Sequence, residues 1–204
     1  MQRVALWLDI TVKALLISLL VFAVAGPDLP QFSGKAMTGR ALTYPIAALI
    51  VPVAWWFLSR SRPRDYPYAL DVLLVLPFLI DVAGNAANLY DTVSWWDDAN
   101  HFVNWAILVA AFGQLLIRVR VERWIAAGLA IGFGAVTAVL WEFAEYFTFI
   151  RNSPELRTAY TDTLGDLALG LAGSVLAAAA TVTIFWPERE AAHDPGSGGN
   201  PATR

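Results

Sequence analysis

Six apolar blocks of about 20 residues, separated by short polar links, dominate this sequence. A helix that crosses a bilayer needs about 20 residues and hydrogen-bonds its own backbone, so apolar blocks of this length are typical of transmembrane helices. The sequence therefore predicts an all-α membrane protein, a polytopic bundle of about six transmembrane helices. The predicted spans are residues 5–25, 41–58, 68–90, 99–117, 124–150 and 164–186.

The composition supports this interpretation and excludes several functions. Of the 204 residues, 57% are hydrophobic and only 15% are charged, whereas soluble domains average about 25% charged residues. The chain has no cysteine, which excludes disulfides, thiolate nucleophiles and cysteine-ligated metals. Because the net charge is -3 and no basic run is present, we do not expect nucleic acid as a partner.

A single transmembrane domain is predicted for residues 1–187, and a disordered cytoplasmic tail rich in Gly, Pro, Ala and charge for residues 188–204. The first block has an alternative interpretation as a signal peptide, since residues 23–25 (Ala-Val-Ala) resemble a cleavage site. Asp9 and Lys13 interrupt the start of that block, and residues four apart can pair along a helix. This spacing favours an uncleaved first helix.

Arginine and lysine residues in the short links predict the orientation, because basic links stay in the cytoplasm. The links after the second and fourth spans are the most basic, with Arg60, Arg62, Arg64, Arg118, Arg120 and Arg123. The opposite side carries Lys35, Arg40, Arg151 and Arg157. The sequence thus predicts a multi-pass protein in a lipid bilayer, with both termini in the cytoplasm.

Carboxylates, amides and a histidine converge on the outer level of the four later spans. A charge near the bilayer centre costs at least about 2.5–3.5 kcal/mol, so ionisable residues in spans usually face protein and have a function. The residues at this level are Asp81, Asn85, Asn88, Asp91, Asp97, Asp98, His101, Asn104, Glu142, Glu145, Asp162 and Asp166. A simpler interpretation remains for some of them, namely solvated helix starts for the loop aspartates and interhelical hydrogen bonds for Asn85 and Asn88.

Small residues predict which faces of the last two spans are packed, because they let membrane helices approach closely. The stripe predicted for the fifth span is Gly128, Gly132, Ala135 and Ala138, continuing into Glu142 and Glu145. The stripe predicted for the sixth span is Asp166, Gly170, Gly173 and Ala177. Both stripes place the carboxylates against protein.

Three short motifs carry a resemblance to known families. They are Trp-Asp-Asp-Ala-Asn-His-Phe at residues 96–102, the pair Trp141-Glu142, and Asp-Thr-Leu-Gly-Asp at residues 162–166 followed by Gly170. Residues 95–174 resemble YjdF-type bacterial inner membrane proteins and, more distantly, VanZ-like membrane proteins. The resemblance makes Asp98, His101, Glu142, Asp162 and Asp166 the motif positions, and it implies no particular reaction.

Three functions remain open. A metal-dependent enzyme would act on an envelope lipid or lipid-linked substrate, with a divalent metal ion held by one histidine and several carboxylates. Its candidate metal ligands are His101, Glu142, Asp166 and Asp162, and its candidate catalytic residues are Glu145 and Asp98. A proton- or cation-coupled transporter would use the same groups to pass ions. A non-catalytic membrane factor would use them as a hydrogen-bonded core or docking surface.

Overall fold

The fold comes from a computed structural model that describes residues 2–119 and 121–187, and these residues form helices and turns without any strand. The predicted tail at 188–204 lies outside the described residues. The helices are α1 Gln2–Ala25, α2 Met37–Ser59, α3 Tyr68–Ala86, α4 Leu89–Thr92, α5 Trp96–Val119, α6 Arg123–Thr148 and α7 Ala159–Thr183. Two 3-10 turns, Ile150–Asn152 and Pro154–Arg157, connect α6 to α7.

Six of these helices are long and apolar enough to cross a membrane, all except the four-residue α4. The prediction of an all-helical membrane bundle with six spans is therefore confirmed. Several boundaries differ from the predicted ones. The third span was predicted to reach Tyr90, but α3 ends at Ala86 because Asn88 adopts a left-handed conformation with φ 58°.

Among the helices that begin earlier than predicted, two gain acidic residues by the change. The fourth predicted span started at residue 99, whereas α5 begins at Trp96 and contains Asp97 and Asp98 in its first turn. The last predicted span started at residue 164, whereas α7 begins at Ala159 and contains Asp162. Carboxylates in a first turn interact favourably with the positive end of the helix dipole, so these residues support the longer helices.

The bundle consists of two groups of three long helices. In the first group, α1 and α2 pack with α3 around Val12, Leu16, Leu20, Tyr44, Ala48, Val75 and Val82. In the second group, α5, α6 and α7 pack around Val109, Leu116, Ala126, Ala130, Ala177 and Ala178. The packing of α3 against α5 joins the two groups. Trp141 of α6 also packs against the first group.

The closest helix pair is α5 with α7, and it depends on small residues. A Cβ atom added to Gly173 would overlap the backbone carbonyl of Phe102, and one added to Gly170 would lie 2.6 Å from the Trp105 ring. These glycines belong to the stripe predicted for the last span, and that stripe is buried from Asp166 to Ala177. The close approach brings the first turns of α5 beside the start of α7.

The stripe predicted for α6 is confirmed at Ala138 and Glu142 but was wrong at Gly128 and Gly132. Gly128 and Gly132 are exposed and would accept a Cβ without any neighbour within 4 Å. The buried face contains Ala126, Ala130, Gly134, Ala138 and Glu142. Alanine, like glycine, is small enough for close helix packing, so either face of α6 could have packed against the bundle. In the structure the alanine face is the packed one, and Ser174 of α7 contacts it at Gly134.

A charged cluster lies at the end of the bundle where α1 and α3 begin. The predicted pair of Asp9 and Lys13 is confirmed, with Lys13 Nζ 3.1 Å from Asp9 Oδ1. Lys13 also pairs with Asp71, which is fully buried and accepts a hydrogen bond from Tyr66. Burial and the Asp71 carboxylate raise the pKa of Tyr66, so its hydroxyl stays protonated as a donor. This cluster ties α1 to α3.

Candidate functional site

His101 lies at the centre of a carboxylate cluster at the opposite end of the bundle, where α3 and α6 end and α5 and α7 begin. We call this end the acidic end. The histidine is 6% exposed, and its Nε2 atom lies 3.8 Å from Asp97 Oδ1 and 3.6 Å from Asp166 Oδ1. Its Nδ1 atom lies 3.7 Å from Glu142 Oε1. These separations exceed normal hydrogen-bond lengths. The imidazole therefore has three carboxylates around it but forms no hydrogen bond with Asp97, Glu142 or Asp166.

Three helices supply this cluster, and each position has a local cause. Asp97 and His101 are four residues apart on α5, so they face the same direction. Glu142 terminates the buried alanine face of α6, and Asp166 begins the buried small-residue face of α7. The close packing of these faces places each carboxylate beside the ring.

Two overlapping sets of ligand atoms could each hold a metal ion. The first set is Asp97, His101 and Asp166, and the second is His101, Glu142 and Glu145. In each set the ligand atoms lie within 4.8 Å of one another. Glu145 lies one helical turn beyond Glu142 on α6 and lines the same internal space as His101. The structure therefore brings together four of the predicted site residues, His101, Glu142, Glu145 and Asp166.

Asp98 and Asp162 are the predicted site residues outside these sets. Both have exposed side chains in the first turns of their helices, and neither belongs to the two sets found among the described residues. Asp97 belongs to a set although it was not among the predicted ligands. Its four-residue spacing from His101 places both side chains on one face of a helix, but only if that helix begins before Asp97. The structure meets this condition, because α5 begins at Trp96.

Asp81 forms a second polar centre beside the histidine cluster. Tyr44 donates a hydrogen bond to Asp81 Oδ2 at 2.6 Å, Tyr90 donates to Oδ1 at 2.9 Å, and Arg40 Nε donates to Oδ2 at 2.8 Å. Asn85 donates to the backbone carbonyl of Asp81 at 2.9 Å, as expected for an asparagine in a structural role. With four donors around it, Asp81 is occupied as a structural acceptor.

The environment of Tyr90 keeps this centre intact over a wide pH range. Tyr90 belongs to the short α4 in the connection between α3 and α5. Burial and the neighbouring Asp81 carboxylate raise the pKa of Tyr90 well above its usual range. Its hydroxyl therefore remains a donor and holds the connection against α3.

A cavity of about 380 Å³ opens between the two polar centres and extends into the bundle. Its polar end is formed by Asp81, Tyr90, Asp97, His101 and Glu145, and its deeper wall by Leu74, Phe78, Leu108, Phe133 and Leu140. Ligand pockets in proteins are commonly about 300–1,000 Å³ in volume, mostly apolar, with a few convergent polar groups. This cavity has that character.

The sequence matches the family described as "Predicted membrane protein (DUF2238)" over residues 10–186. The chain belongs to this family. The match covers the first span from residue 10 onward and all of the other five, whereas the motifs identified above lie in residues 95–174. DUF2238 is the family of the YjdF-type proteins, so that resemblance is confirmed. The comparisons give no support to the VanZ-like resemblance.

One relative of this DUF2238 chain is a protein of Thermotoga maritima described as "Uncharacterized protein". It is 32% identical over 102 residues, which is 47% of this chain and 52% of the relative. The aligned region thus spans about half the length of that relative. No solved structure matches the chain.

Proposed function

We propose that this protein is a metal-dependent membrane enzyme that acts on the polar headgroup of an envelope lipid or lipid-linked substrate. The observation that carries the proposal is the position of His101 Nε2, which lies between two carboxylates at the polar end of a cavity with apolar walls. The carboxylates and the histidine can bind a metal ion. The polar end and apolar walls of the cavity can accept an amphiphilic substrate.

Two distances in the first ligand set are close to the spacing that one metal ion requires. Two ligand atoms at about 2.0–2.2 Å from one ion lie about 3.3–3.6 Å apart in tetrahedral geometry. The distances from His101 Nε2 to Asp97 and Asp166 are 3.8 and 3.6 Å, so small side-chain rotations would complete the site. One imidazole nitrogen with carboxylate oxygens suits Zn²⁺, Mn²⁺ or Fe²⁺.

Glu142 has a distinct role in this assignment. A histidine that binds metal through one nitrogen commonly donates its other N–H to a carboxylate, which fixes the ring orientation and its tautomer. Glu142 lies on the Nδ1 side of His101, 3.7 Å away. Glu142 therefore orients the ligand, although the sequence suggested that it is a ligand itself.

The bound ion would polarise a phosphoryl or carbonyl oxygen of the headgroup and activate water. Glu145 lines the cavity, with a carboxylate oxygen within 4.8 Å of a His101 nitrogen, and is therefore the candidate general base. Asp98 and Asp162 are exposed in the first turns of α5 and α7, where they add negative charge that attracts the cation.

The acidic end faces the outside of the bacterial inner membrane in this proposal. The two basic links predicted from the sequence contain six arginines, at positions 60, 62, 64, 118, 120 and 123, and such links stay in the cytoplasm. Both termini would then be cytoplasmic. A substrate from the outer leaflet would reach the site without crossing the membrane.

The transport hypothesis receives less support from the arrangement of polar groups. A transporter needs polar groups along the whole depth of the membrane. The cluster around Asp71 and the centre around Asp81 lie on the same helix, but buried Val75 and the apolar Phe78 separate them. Among the described residues, the buried ionisable groups therefore lie toward the two ends of the bundle and do not line a continuous path.

The metal content of purified protein tests the proposal. We expect close to one divalent ion per chain after incubation with Zn²⁺ or Mn²⁺ and removal of free metal, and a loss of most of it in His101→Gln and Asp166→Asn. Asp91→Asn is the matched control, because Asp91 is an exposed acidic residue at the same end. A folded parent protein that binds no ion would contradict the proposal, as would equal binding by the variants and the control.

A further inference from the structure

We propose that the substrate is a phosphate ester of one long hydrocarbon chain, and that this chain occupies the cavity between α3, α5 and α6 while the phosphate reaches the metal site. The inference rests on the proposed function, because the metal ion is what holds the phosphate. It goes further by assigning the cavity to the lipid chain.

The polarity of the cavity changes steadily along its length. On α5 the lining begins with Asp97 and ends at Leu108, which lies about 10 Å deeper than His101 at 1.5 Å per residue. On α6 it runs from Glu145 through Thr137 to Phe133, about 18 Å deeper on the same basis. Charged and amide groups are thus confined to one end, and the deeper wall is apolar apart from Thr137.

The depth and direction of the cavity match one leaflet of a bilayer. The hydrocarbon core is about 30 Å thick, so one leaflet contributes about 15 Å. Because the cavity follows the membrane-spanning helices, its long axis is that of the surrounding lipid chains. A chain of the outer leaflet can enter without changing its depth or direction.

The packing of the helices leaves a route from the membrane. Both α3 and α6 pack against α5, but they do not form an extensive interface with each other. Leu140 lines the cavity on α6, yet it is 57% exposed, and Ala144 lines it one turn later and is also exposed. These residues form a side opening toward lipid, through which a hydrocarbon chain can enter laterally.

The charge of the acidic end determines how an anionic headgroup can bind. Four carboxylates lie around the histidine, Asp97, Glu142, Glu145 and Asp166, and the exposed Asp98 and Asp162 add negative charge in the first turns of α5 and α7. Arg40 is committed to Asp81 and to the backbone carbonyl of Lys35. A phosphate would therefore be repelled unless a cation lies between it and the carboxylates. Binding of a lipid phosphate must then depend on the metal, whereas the fit of the chain must depend on the cavity.

The test measures the binding of dodecyl phosphate to metal-loaded protein in lipid nanodiscs, with the metal content determined on the same samples. Thr137→Trp fills the cavity, because Thr137 lines its middle. Val136→Trp is the matched control, since Val136 directly precedes Thr137 on α6, does not line the cavity and is 61% exposed. Leu108→Trp and Leu115→Trp form a second pair on α5, where Leu108 lines the cavity and Leu115 is 43% exposed elsewhere.

We expect saturable binding that is lost on chelation of the metal, at least tenfold weaker binding in Thr137→Trp and Leu108→Trp, and parental binding in the two controls. All four variants should retain the metal. Metal-loaded parent protein that does not bind the probe would overturn the inference and leave the metal site standing. Parental affinity in both cavity-filling variants would also overturn it. An isoprenyl phosphate of equal chain length, measured in parallel, identifies the class of chain by its relative affinity.

Discussion

His101 Nε2 lies 3.6 Å from Asp166 Oδ1, and this proximity depends on the close contact between α5 and α7. One residue after His101, the carbonyl of Phe102 occupies the space where Gly173 would carry a side chain. One turn before Gly173, Gly170 packs under Trp105. The geometry of the candidate metal site is therefore set by glycine positions that have no chemistry of their own.

The replacement Gly173→Ala should separate α5 from α7 and disturb the site. Overpacking of a tight contact costs about 1–3 kcal/mol, and we expect a loss of unfolding free energy of that size together with weaker metal binding. Gly128→Ala is the control, because a Cβ at Gly128 meets no neighbour within 4 Å. Alanine there should be neutral or stabilise the helix by up to about 1 kcal/mol. Equal stabilities of the two variants in mixed-micelle unfolding would show that the α5–α7 contact is looser than described.

The Asp81 centre should be important for stability. Removing one partner of a buried ion pair typically costs about 3–5 kcal/mol, so Asp81→Asn should reduce the free energy of unfolding strongly by leaving Arg40 without its counter-ion. Tyr90→Phe removes one hydrogen bond and should cost only about 1 kcal/mol. Asp91→Asn should have an effect of about 0–1 kcal/mol, because its pair with Lys35 is largely exposed. An Asp81→Asn variant as stable as Asp91→Asn would contradict this assignment.

The charged cluster at the other end of the bundle should contribute to stability without affecting the metal site. Lys13 lies between Asp9 and the fully buried Asp71, so Lys13→Met should cost about 3–5 kcal/mol by leaving a buried carboxylate uncompensated. The double variant Lys13→Met/Asp71→Asn should recover part of that loss. Metal content should equal that of the parent in the folded fraction of both variants. Metal loss in folded Lys13→Met would indicate that the two ends are coupled.

The bundle itself could be predicted because each span is long, apolar and bounded by polar links. The shared level of His101, Glu142 and Asp166 followed from the same pattern, since helices that alternate in direction bring these residues to one end. The packed face of α6 could not be predicted in this way. Glycine and alanine both allow close packing, so the sequence offered two faces, and only contact with Ser174 and Val109 selects the one that contains Gly134.

The pairing of Arg40 with Asp81 and the presence of the cavity also required the structure. The apolar pattern predicts a span that begins at residue 41, which leaves Arg40 in the preceding link. In the structure α2 begins at Met37, so Arg40 lies in its first turn. Its partner depends on how α2 packs against α3, which short-range patterns do not specify. The cavity is a property of three helices together, and no single span reveals it.

The coordination of a metal ion by His101 is the central claim, and pulsed electron paramagnetic resonance of protein-bound Mn²⁺ tests it most directly. We predict that the Mn²⁺ signal shows a nitrogen modulation from one imidazole in the parent protein and in His193→Ala, a variant that lacks the other histidine of the chain. The modulation should disappear in His101→Gln. Bound Mn²⁺ without nitrogen coupling in the parent, or coupling that persists in His101→Gln, would contradict the account.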